Sequence, residues 1–150
     1  MSRIPPAPLA LGLAGLIPFL WSVATHLSPA LAEAAGAYLP PMFIGAYVGL
    51  TYGTVILSFL SGALWGFAAK ACGRAATIGY ALSVLPALWV FLMVTDASAA
   101  SLISLAAGFV GVLMLDAFFA AQGLAPPWWL RLRLILTPVV LACLAVPILA

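Results

Sequence analysis

Charge is almost missing from this chain. Five Lys or Arg, three Asp or Glu and one His are spread over 150 residues. A soluble domain carries about a quarter charged residues. Here 67% of residues are hydrophobic, and so few polar groups cannot cover that much apolar surface. Lipid is therefore the solvent this composition calls for. The net charge of +2 is too small and too scattered for nucleic acid, and there is no polybasic tract for anionic headgroups. Cysteine is scarce as well: Cys72 falls in a loop and Cys143 in mid-helix, which argues against a disulfide between them.

The usual catalytic constellations are missing too. No nucleotide loop, zinc signature, Ser-His-Asp set or pair of carboxylates is found, and no lysine lies inside an apolar run to form a retinal Schiff base. His26 stands alone, whereas a haem-binding bundle normally offers a second His or a well-placed Met; we read it as interfacial. We therefore expect no enzymatic activity, no catalytic residue, no metal and no cofactor beyond a bound lipid or quinone.

What is present is a set of long apolar runs. Pro40-Pro41 is followed by residues 42–67 without a charge. As a helix that run spans about 39 Å, more than the roughly 30 Å hydrocarbon core. Runs of this length exclude a transmembrane barrel, whose strands are about ten alternating residues. The expected fold is an all-α membrane protein, a bundle of about five transmembrane helices with the second one central. Its spans are placed at about 9–25, 42–68, 75–95, 99–121 and 134–149, in one integral domain over residues 1–150. Pro18, Pro86 and Pro138 interrupt the first, third and fifth runs, and the fifth is the shortest. Ala30-Leu31-Ala32 before Glu33 also gives the first run the form of a signal peptide; we expect it to be retained, because the helices that follow need a companion. Asp96 or Ser98 can cap the fourth helix, and Gln122-Gly123 stops it.

Five spans put Arg3, Lys70, Arg74, Arg131 and Arg133 on one side and Glu33 and Asp96 on the other. By the positive-inside rule the N-terminus is cytoplasmic and the C-terminus periplasmic. Trp128 and Trp129 beside Arg131 then read as an interfacial anchor on the cytoplasmic side.

Candidate residues follow from this topology. In the second helix Gly45, Gly49 and Gly53 share one face, while Ser58, Gly62 and Gly66 fall broadly on the opposite one. Small residues let helix backbones approach closely in lipid, so contact is expected on both faces. Ser101, Ser104, Gly108 and Gly111 form a similar packing stripe on the fourth helix. Asp116 is the one ionisable residue well inside a run, at a cost of about 2.5–3.5 kcal/mol if central and charged. It lies some five residues, roughly 8 Å, from the helix end, within reach of Lys70, Arg74, Arg131 and Arg133. A proton relay needs a second protonatable group at depth and none is present, so a structural ion pair or hydrogen bond to a cytoplasmic loop is the better reading. Cys143 reads as packing. Tyr38, Tyr47, Tyr52 and Tyr80 with Trp21, Trp65 and Trp89 are belt and packing aromatics that also offer surface to a quinone or lipid tail.

Four pieces of sequence carry a resemblance. Ile4-Pro5 leads to Leu11-Gly12-Leu13-Ala14-Gly15-Leu16-Ile17-Pro18-Phe19. Tyr52-Gly53-x-x-Ile56-Leu57-Ser58-Phe59-Leu60-Ser61-Gly62-x-x-Trp65-Gly66 is the second. Tyr80-x-x-Ser83-Val84-x-Pro86 and Trp128-Trp129-x-x-Leu132-Arg133-x-x-Leu136-Thr137 complete them. Together the chain resembles a bacterial membrane family, domain of unknown function 3429, that also takes in mitochondrial transmembrane protein 69. The resemblance implies about five spans in a bacterial cytoplasmic or mitochondrial inner membrane. It brings no activity and no catalytic residue, and its distribution suits a role near bioenergetic complexes. The function expected is that of a non-catalytic inner-membrane accessory subunit or assembly factor, with membrane lipids and other integral membrane subunits as partners. A small transporter or channel, or a quinone- or lipid-binding protein, is the alternative.

Overall fold

The computed structural model describes residues 3–149; Met1, Ser2 and Ala150, the ends of the expected domain, lie outside the described residues. The fold is an all-helical membrane bundle with five helical segments long and apolar enough to cross a bilayer. The first segment is α1 (Pro6–Ala14) plus α2 (Ile17–Leu27), broken at Gly15-Leu16 just ahead of Pro18. After a short helix α3 (Pro29–Gly36) comes the unbroken α4 (Ala46–Ala68). The third segment is α5 (Gly73–Ser83) plus α6 (Leu85–Met93), and α7 (Ala99–Ala121) and α8 (Trp129–Leu149) complete the bundle. Each break lies just ahead of a proline, which removes an N–H and crowds the preceding turn. Pro138 and Pro147, in contrast, are accommodated within α8.

Two boundaries differ by four or more residues from those read in the sequence. The second span starts at Ala46 because Pro41–Phe43 forms a single 3-10 turn and Gly45 takes φ 61°, a left-handed conformation that favours glycine. The fifth span starts at Trp129, not at residue 134. Two arginines made the run 129–133 look like a loop, but both sit in the first turns of α8. At 21 residues, α8 is joint shortest with the 21-residue third segment.

The second span is central. α4 touches the first segment through α2, the third through α5 and α6, and also packs on α7 and α8. Leu57, Leu60, Leu64 and Ala68 form its buried side, meeting Leu105, Phe109, Val112 and Phe119 of α7 in one core. Backbones approach where side chains are small: a Cβ on Gly79 of α5 would lie 3.0 Å from Ala68 Cβ, and one on Gly108 of α7 would lie 2.7 Å from Leu57 Cδ2. α7 ends in a Schellman motif. Leu124 N donates to Phe119 O at 3.0 Å and Gly123 N to Ala120 O at 3.0 Å, with Gly123 at φ 69°.

Candidate functional site

Polar groups tie this apolar bundle together at three depths. At the N-terminal end of α4, the N-cap Gly45 has no side chain to offer its own helix. Ser22 and Thr25 of α2 supply what is missing: Gly45 N donates to Thr25 Oγ1 at 2.8 Å, and Gly49 N donates to Ser22 Oγ at 3.2 Å. Ser22 Oγ in turn donates to Gly45 O at 2.8 Å. The orphan N–H groups of a helix start are thus capped from a neighbouring helix. At mid-depth the buried Ser61 hydroxyl of α4 donates to the Ser83 carbonyl, next to the α5–α6 break.

The third tie is the densest. Asp116 of α7 is fully buried. Its Oδ2 accepts from Arg133 Nε at 2.9 Å, and its Oδ1 from Trp129 Nε1 at 2.6 Å. Trp129 and Arg133 are four residues apart at the start of α8, so they project from one face. Phe67 of α4 packs edge-on against Trp129, with ring centroids 5.1 Å apart. Arg133 is only 5% exposed, and its Nη2 has no hydrogen-bond partner among the described residues. Thr137, one turn further along α8, is also buried with a hydroxyl that finds no partner among the described residues. The cluster has one acid, one base that is always charged, and an indole. It can hold two helices in register and offer a spare donor.

Beside this cluster a half-open, apolar groove of about 560 Å³ runs between the first segment, α4, α7 and α8. Leu11, Gly12 and Phe19 line one wall, Tyr52, Ile56 and Leu60 another, and Trp129, Leu132, Arg133 and Val140 the third. Its size falls within the range of about 300–1,000 Å³ common for small-molecule sites.

The candidate residues are distributed unevenly over these features. Gly49 and Gly53 face the bundle: a Cβ there would come 2.9 Å from Ser22 Oγ and 2.7 Å from Leu105 Cδ2 respectively. Gly62 and Gly66 do not, since a Cβ at either would meet no atom within 4 Å. The expectation that α4 is contacted on both faces therefore needs correction within this chain, because the C-terminal half of α4 buries Leu57, Ser61 and Leu64 and turns Gly62 and Gly66 outward. Asp116 is tied to a helix, α8, and not to a loop. Of its candidate partners only Arg133 reaches it; Arg74 and Arg131 are exposed, and Lys70 Nζ donates to Leu124 O at 3.2 Å. Trp129 turns inward onto the acid and is no surface anchor, while Trp128 packs against it at 6.0 Å. Trp65 is half exposed against Tyr80, at 4.6 Å. Of the aromatics set aside for a quinone or lipid tail, only Tyr52 lines the groove. Trp89 donates to Ser104 O at 2.7 Å, outside it. Both cysteines are free. Ser22 and Thr25 carry no mark in the sequence, and Ser61 and Ser83 stand out only as parts of the family pieces, although hydroxyls within apolar spans are a known form of interhelical glue.

The fold and its buried ties define a multi-pass helical membrane protein whose one acid inside a span is committed to a neighbouring helix. The family profile described as "Protein of unknown function (DUF3429)" matches residues 4–149. The chain belongs to this family. It is similar to Transmembrane protein 69 of Xenopus tropicalis, with 36% identity over 141 residues covering 90% of this chain. It spans about half the length of that curated relative, 51%. No solved structure matches it.

Proposed function

We propose that this chain is a non-catalytic integral subunit or assembly factor that docks, in a bacterial cytoplasmic membrane, onto other membrane subunits. The observation that carries the reading is the asymmetry of α4. Gly49 and Gly53 are packed by the chain's own helices, whereas Ser58, Gly62 and Gly66 are exposed and open in the other half. A lipid-facing surface is usually made of large aliphatic side chains, and small residues at spacings of four are what a second helix needs to approach closely. Asp116 is paired with a neighbouring helix, which is what a structural tie requires, and this supports a non-catalytic role. Its carboxylate is taken up by Arg133 and Trp129, which leaves no proton path through it.

The partners inferred are apolar transmembrane helices of other subunits, with bioenergetic complexes as the setting. Extraction in several mild detergents followed by pull-down should recover integral membrane subunits at fixed stoichiometry. Gly62→Leu should lose them while keeping its melting temperature. Recovery of only free monomer or homo-oligomer by the unaltered chain would count against the reading. Broken helices often line transport paths, so the breaks at Gly15-Leu16 and Val84 support a small carrier or channel as the second reading. Solute flux in reconstituted vesicles would favour it.

A further inference from the structure

We propose that the groove beside Arg133 is a binding site for one glycerophospholipid, with an ester carbonyl on the Arg133 guanidinium and the acyl chain along the groove. Three observations converge on this. The first is the spare donor: Arg133 lines the groove, is 5% exposed, and its Nη2 has no partner among the described residues. A buried donor left unpaired is costly, and a ligand acceptor removes that cost.

The second is charge. Arg133 is already neutralised by Asp116, at 2.9 Å. Adding an anion would bury a net negative charge, which is strongly disfavoured without a further cation, and Arg133 is the only charged residue lining the groove among the described residues. The acceptor that fits is therefore neutral. An ester carbonyl qualifies; a free carboxylate does not.

The third is shape and depth. The lining residues of α8 run from Trp129 to Val140, about 16 Å at helical rise. One leaflet is about 15 Å deep, half of the roughly 30 Å core. Arg133 is in the second turn of α8, and helical side chains lean towards the N-terminus, so its guanidinium lies near the edge of the hydrocarbon. The groove's other hydrogen-bonding side chain besides Trp129 is Tyr52, in the second turn of α4, which starts at the opposite membrane face. A compact ring with two carbonyls would need its donors close together, whereas this arrangement suits a long chain with one polar end. The mouth opens to lipid beside Leu11 and Phe59, 73% and 66% exposed.

The test uses the full chain in detergent, titrated with a diester phosphatidylcholine and with its diether analogue, which lacks the carbonyls. Bound lipid is read by native mass spectrometry. The unaltered chain should retain one diester molecule and hold the diether about fivefold less well, the ratio expected for one net hydrogen bond. Arg133→Lys keeps a cation opposite Asp116 but removes the guanidinium fork, and should abolish the diester preference. Leu11→Trp, at the exposed mouth, should block retention with an unchanged melting temperature. Phe91→Trp, on a distant exposed face, should leave it intact. Equal retention of diester and diether by the unaltered chain would overturn the proposal, as would displacement of the lipid by a benzoquinone with the same dependence on Arg133.

Discussion

Arg133 reaches Asp116 through Nε at 2.9 Å, with both side chains almost wholly out of contact with the surroundings. The pair joins α7 and α8, which of all single helices in the bundle contact one another most extensively. Removing either partner leaves an uncompensated charge at a buried site. Asp116→Leu and Arg133→Met should each destabilise the protein by about 3–5 kcal/mol, and the double variant should recover most of that loss. A double-mutant cycle of unfolding in detergent checks this, and additive losses would contradict the pairing.

Trp129 contributes through its N–H as well as its ring. Trp129→Phe keeps an aromatic surface against Phe67 but leaves Asp116 Oδ1 without its 2.6 Å donor. Loss of a hydrogen bond to a charged group costs about 1.5–3 kcal/mol. The same unfolding measurement should report a drop of that size, and Trp128→Phe should report much less.

The five-span bundle could be read from apolar run lengths alone, because in lipid the requirement for about 20 apolar residues per helix is hard to meet by accident. The central place of the second helix was inferred instead from its two small-residue faces, only one of which this chain covers. The acid at position 116 stood out against those apolar runs. Its partner did not. Four basic residues lay on the correct side, and only the helical phase of α8, starting at Trp129, brings Arg133 inward and leaves Arg131 outside. Glycine spacing showed two faces on α4 but could not say which one this chain covers itself, since Gly53 and Gly62 look alike until Leu105 is placed against the first. The groove depends on side chains from four segments and has no local signature.

Asp96 lies between the third and fourth spans, where its carboxylate accepts from Ser98 Oγ at 2.6 Å and Ser101 Oγ at 2.8 Å. The hydrogen bond from the Ser98 side chain, then that from Ser101, hold its pKa below the ordinary value of 3.8. A carboxylate depressed in the folded state stabilises above its unfolded pKa, and that stability is lost as pH falls through the lower folded value. The advantage of the unaltered chain over Asp96→Ala should therefore be constant near neutrality and shrink only below about pH 3.8. Unfolding followed from pH 7 to pH 2 tests this; an advantage that vanished near pH 6 would point to another group.

Orientation is accessible to reporter fusions. The exposed Lys70, Arg74 and Arg131 are proposed to face the cytoplasm. A reporter active only outside the cytoplasm should be silent when fused after Gly73 and active when fused after Asp96. The reverse pattern would invert the proposed topology.

The account rests most heavily on α4 being closed by its own bundle in one half and reserved for a partner in the other. Gly53→Leu and Gly62→Leu, compared for melting temperature and for partner recovery in the same mild detergent, test this directly. A leucine at Gly53 must displace Leu105, whose Cδ2 would lie 2.7 Å from the new Cβ, and overpacking of this kind costs about 1–3 kcal/mol. Gly53→Leu should therefore melt several degrees lower, while Gly62→Leu should melt as the unaltered chain does and lose its partner subunits. If Gly62→Leu instead retains both its melting temperature and its partners, that face of α4 points at lipid, and the docking role proposed for it is wrong.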